Sequence, residues 1–92
     1  MTVYHLPANL DTRTAPQVHA ALNGLEDQPV SLDGSQVESL GGQCLQILLA
    51  AHAAWTHRNL AFAIQSPSEA LCAQWAAFGA PADLLSPLGD TP

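Results

Sequence analysis

The sequence predicts an α/β fold: a small mixed, mostly parallel β-sheet with helices packed against it. Three observations point there. Short stretches of strand periodicity alternate with longer ones of helical periodicity, in the order strand, helix, strand, helix, strand, helix. One strand candidate, Leu60 to Gln65, sets Leu60, Phe62 and Ile64 on one side and the small Ala61 and Ala63 on the other, so both of its faces can be covered. A chain of 92 residues builds one modest core and has no room for a second.

Taken in order, Val3 to Leu6 alternates weakly and stops at Pro7, which reads as a short strand near a sheet edge. Thr14 offers a helix N-cap with Gln17 three residues on and Pro16 in the first turn, where a missing amide does no harm. The helix that follows carries the stripe Val18, Ala21, Leu22, Leu25, and Asn23-Gly24 begins its end. Pro29 to Asp33 is the second strand, closed by Asp33-Gly34-Ser35. The next helix runs from Gly41 or Gly42 to His57. Its rows Cys44, Leu48, Ala51, Trp55 and Leu45, Leu49, His52, with Ile47, place apolar residues over more than half its circumference, so it is largely buried or shares a face with a partner. Ser66-Pro67-Ser68-Glu69 reads as a capping box with Ser66 as N-cap, opening a helix whose inward stripe is Leu71, Trp75 and Phe78 and whose end is capped by Gly79. Residues 1–80 form the domain. Pro81, Pro87 and Pro92 break any further long element, leaving 81–92 as a Pro-rich turn and tail.

Composition excludes several functions. Apolar residues make up 48% and charged ones 11%, against about 25% charged in an average soluble domain, which implies an uncharged interaction surface. The only cations are Arg13 and Arg58, set against 8 acidic residues and a formal charge of -6. Nucleic acid and anionic membrane surfaces are poor partners for such a chain, whereas a basic protein face is attracted to it. The uncharged run from Cys44 to Trp55 is 12 residues, short of the roughly 20 that span a bilayer, so no membrane insertion is expected. Met1 to His5 shows neither a basic nor an apolar leader region, and the expected location is the cytoplasm.

No cofactor, metal or catalytic group is expected. His52 and His57 stand about 140° apart around a helix, and no histidine makes a zinc spacing with Cys44 or Cys72. Those cysteines read as free buried thiols, with Cys44, in a helix's first turn, the only one with a mechanism for redox reactivity. Ser66 and Ser68 are explained by capping, and Gly41-Gly42 lacks the further glycine and lysine of a nucleotide loop.

The most informative stretch is Val37 to Leu49, where a strand-like segment ends and an apolar helix starts on two glycines. Glycine leaves its amides uncovered, and the first turn of a helix carries unbonded donors at the positive end of its dipole. The pair serves either as a tight turn against the sheet or as a docking point. Asp11 and Asp33 both follow strands and read either as turn residues or as part of the same mouth.

Together these elements resemble the STAS domain, the fold of bacterial anti-sigma factor antagonists and of the cytosolic tails of sulphate transporters. The resemblance rests on Leu6 to Asp11 before Thr14, on Val30 to Asp33, on the loop-to-helix segment Val37 to Leu49, and on Leu60 to Gly79. It implies a non-catalytic module that docks a regulatory protein, an anti-sigma factor or kinase, through Asp11, Asp33, Ser39, Leu40, Gly41, Gly42, Gln43 and Gln46. In regulated members the switch reads Asp-Ser-Ser or Asp-Ser-Thr and then Gly, and a hydroxyl there is phosphorylated. Here the aligned positions are Gly41, Gly42, Gln43 and Cys44, so no phosphorylation is expected and docking is constitutive or controlled elsewhere. The form Leu-Gly-Gly-x-Cys-Leu-Gln resembles STAS proteins found alongside bacterial chemotaxis components. Two other readings stay open: a structural subunit seated on the ATPase of an ABC-type lipid transport complex, and a small-anion or nucleotide sensor using the helix terminus. The apolar central helix and the short first strand both permit a homodimer.

Overall fold

In a computed structural model the chain is described over residues 2–81 and 84–86. Four strands, β1 (Thr2–His5), β3 (Val30–Asp33), β5 (Phe62–Gln65) and β6 (Leu85–Ser86), form one sheet in the order β1-β3-β5-β6. Two further strands, β2 (Asn9–Leu10) and β4 (Ser39–Leu40), pair with each other in a second sheet. Every pairing among the described residues is parallel, with Tyr4 opposite Leu32 and Leu32 opposite Ile64 through the centre. The helices are α1 (Ala15–Asn23), α2 (Gly42–His57) and α3 (Glu69–Ala77). None of the described helices is long and apolar enough to cross a membrane.

The period-2 and period-3.6 patterns meet in one core. Val30, Leu32 and Ile64 are buried with Val18 and Leu22 of α1, Cys44, Leu48, Ala51 and Trp55 of α2, and Leu71 and Trp75 of α3. Each large apolar side chain so enclosed contributes about 1.5–3 kcal/mol. Both buried indoles are satisfied, Trp55 Nε1 donating to the Gln28 carbonyl at 2.8 Å and Trp75 Nε1 to the Pro81 carbonyl at 2.7 Å.

Three local expectations are corrected. Thr14 does not cap α1 through its side chain. Asp11 holds that turn instead, its Oδ1 accepting from the amides of Arg13 and Thr14 at 2.9 and 3.1 Å. The cap of α3 is Ser68 rather than Ser66, because Ser66 takes a left-handed conformation (φ 51°) that ends β5 and turns the chain before Pro67. Phe78 does not point inward: it lies past the last residue of α3, is 49% exposed, and faces α2. Gly79, at φ 75°, does close α3, with the Ala80 amide reaching back to the Trp75 carbonyl at 3.2 Å.

The proline-rich end contributes more than a turn. Leu85 and Ser86 extend the sheet beside Ile64 and Gln65, and the remainder of the expected tail, 82–83 and 87–92, lies outside the described residues.

Candidate functional site

The β2–β4 ribbon builds the site. Asn9 pairs with Ser39 and Leu10 with Leu40, and the Ser39 hydroxyl donates to Asn9 Oδ1 at 3.0 Å. Just past the ribbon the Gly41 amide donates to the Leu10 carbonyl at 2.6 Å, and the chain turns into α2. A β-carbon on Gly41 would stand 3.2 Å from that carbonyl, so the close approach of two backbones favours glycine there.

Gly42 is different. A β-carbon on it would meet nothing nearer than Phe78 Cε1 at 3.8 Å, and both Gly42 and Gln43 are exposed. No side chain caps α2, and its helical ladder begins with the Leu45 amide on the Gly41 carbonyl at 3.0 Å. The amides before it stand at the positive end of the helix with no acidic residue in the first turn. Beside this opening Gly42, Leu45, Gln46, Leu49 and Phe78 line an apolar groove. Phe78 and Val3 are the large hydrophobic side chains most exposed among the described residues.

Of the residues expected at the site, Asp11, Ser39, Gly41, Gly42, Gln43 and Gln46 are gathered around this turn. Asp11 sits against Gly41, and its carbonyl accepts the Cys44 thiol at 3.4 Å. Leu40 is the exception by burial: its side chain is 6% exposed and packs in the core. Its amide is taken by the side chain of Gln74 at 2.7 Å, which also donates to the Glu38 carbonyl at 3.2 Å, so one amide group on α3 acts as a neighbouring strand for β4. Asp33 lies on the other sheet, where it accepts from the Ser35 amide at 2.9 Å and pairs with His5 Nδ1 at 3.0 Å.

Electrostatics follow this geometry. Backbone amide donation, from Thr14 to Asp11 and from Ser35 to Asp33, holds both carboxyls below the ordinary range, and each carboxylate therefore serves a turn of its own chain. Burial pushes the Cys44 thiol up, away from the thiolate, which removes the redox reading of that residue.

Phe78 and Gln74 were not singled out for this site by sequence. Both act through contacts between α3 and the α2 or β4 region, and a helical period does not encode which neighbour a residue past the helix end will face.

A family model described as Mlab, STAS domain, matches residues 2–85. No curated protein matches the chain.

Proposed function

The chain belongs to the STAS domain family, and on that premise we infer that it is a non-catalytic module that docks a regulatory protein at the start of α2 with no phosphorylation switch of its own. STAS domains in general are regulatory modules that bind protein partners rather than enzymes. One observation carries the finer reading. The first turn of α2 is left uncapped and open at Gly42, directly beside the exposed Phe78. A partner gains there both unbonded amide donors and apolar contact. The four positions from Gly41 to Cys44 hold no hydroxyl, so phosphorylation at this turn has no acceptor.

A pull-down comparing wild type with Gly42→Asp tests it. The substituted side chain has room and sets a negative charge at the positive end of α2, so the fold survives while capture of the partner falls at least tenfold. Undiminished capture refutes docking at this turn.

The lack of an acceptor hydroxyl also suits a permanent seat, which supports the second reading, a structural subunit on the ATPase of a lipid transport complex. Signalling genes of sigma-factor or chemotaxis type beside this one favour the first reading, and transporter genes the second. The uncapped turn equally suits a small anion or nucleotide. Calorimetric titration with nucleotides that shows no heat removes that reading.

A further inference from the structure

The open turn occupies only one end of α2. Along the rest of its length α2 lies beside α1, and the two leave a groove of about 660 Å³ running from Gln43 to Arg58, a span of about 22 Å for a helix rising 1.5 Å per residue. Leu22, Ile47 and Ala51 line its depth, and the exposed Ala50 and Ala54 form its α2 wall without obstructing close approach. Over its 16 residues α2 carries no Asp, Glu, Lys or Arg. Charge gathers at the far end. The Arg58 guanidinium donates to the Glu26 carbonyl at 3.0 Å and to the Asp27 carboxylate at 3.1 Å. The Glu26 carboxylate, which lines the groove, has no ion-pair partner among the described residues.

These features select the occupant. The walls are helices whose backbone groups are bonded internally, so the groove offers no ladder to an extended peptide and suits a helix, whose backbone is bonded within itself. The acidic end repels an anionic lipid headgroup. It also disfavours a second copy of a chain that carries -6 and no lysine. A helix with cations at its flank meets both requirements. We propose that the α1–α2 groove seats an amphipathic helix of a protein partner, about four turns long, with apolar side chains on the Ile47 and Ala51 floor and Lys or Arg beside Glu26. The proposal rests on the docking reading above and extends the contact from the end of α2 along its length.

Photo-crosslinking in the native cell tests it, with p-benzoylphenylalanine placed singly in the full chain at Ala50, Ala54, Gly42 and, as a control on another face, Val3. Circular dichroism confirms that each variant is folded. Probes at 50 and 54 should give adducts with another protein at least fivefold above the Val3 control, mapping to a segment with an apolar stripe at helical spacing and flanking Lys or Arg. Glu26→Lys should cut that yield at least threefold. Adducts from 42 but only control levels from 50 and 54 overturn the groove and leave the open turn standing. Control levels at all three positions overturn both. Adducts with lipid, with a second copy of this chain, or with a segment lacking cations or helical spacing also overturn the proposal.

Discussion

The N-termini of α2 and α3 are built from similar materials and finished in opposite ways. At α3, Ser68 accepts the Leu71 amide at 3.0 Å and donates to the Val37 carbonyl at 2.5 Å, while its own amide donates to the Gly34 carbonyl at 3.0 Å. Every polar group of that cap is used inside the domain, and the buried Gly34 lies beneath it. At α2 no side chain closes the turn, and Gly42 faces open space beside Phe78. A helix end that the fold needs is satisfied from within. One that the fold leaves unsatisfied is available to another molecule, and this asymmetry supports the proposal that docking occurs at α2.

Substitution at these two helix ends should therefore lower stability at the α3 end and spare it at the α2 end. The largest effect on folding is expected from Gly34→Ala. The added methyl would stand 2.8 Å from Leu71 Cδ2 and 3.3 Å from the Pro67 α-carbon. Overpacking of this kind costs about 1–3 kcal/mol, read as a lower midpoint in urea denaturation with the slope unchanged. A midpoint equal to wild type would show that the α3 end is looser than its contacts imply. Ser68→Ala should follow at about 1 kcal/mol, and up to about 2, since it removes both the cap and the bond to Val37.

Gly42→Ala should change sign. The position is helical and has space, so the methyl restricts only the unfolded chain and stabilises by about 0.4–1 kcal/mol. An increase in the urea midpoint, beside the decrease for Gly34→Ala, would sharpen the contrast between the two ends. A decrease would mean that Gly42 is held by contacts and is not a free rim.

Much of this contrast was legible in the sequence. The Gly-Gly start of α2, its end at His57 and the role of Gly79 follow from local rules, because caps and left-handed turns are set by residues within one helical turn. The order of the three long strands and three helices was legible for the same reason. The strands β2 and β6 were not, since two residues carry no period, and β4 was legible only as a strand-like segment ending before the glycines. The cap of α3 was misassigned because Ser66 and Ser68 flank the same proline and offer two registers, which only the conformation of Ser66 separates. Asp11 was placed at the turn by its position after a strand and Ser39 by its place just before the glycines, and the rule used for Asp11 also put Asp33 there although its strand lies in the other sheet. Leu40 illustrates a different limit: a residue adjacent to the opening alternates inward along β4, and proximity in sequence does not distinguish rim from core.

The smallest effect should come from acid. Asp11 stands at the open α2 end and Asp33 beside the closed α3 end, and backbone donors hold both carboxyls below the value of about 3.9 expected in the unfolded chain. A carboxyl depressed in the native state binds its proton more weakly there than when unfolded. The stability it adds is complete above that unfolded value and is lost as pH falls from about 4 through the native one. Because both groups are partly exposed, the loss is modest. Replacing either aspartate with Asn keeps an acceptor oxygen for the turn and removes the titration. Urea midpoints of wild type should fall more between pH 7 and pH 3 than those of Asp11→Asn or Asp33→Asn, and parallel profiles would show that neither carboxylate holds its turn.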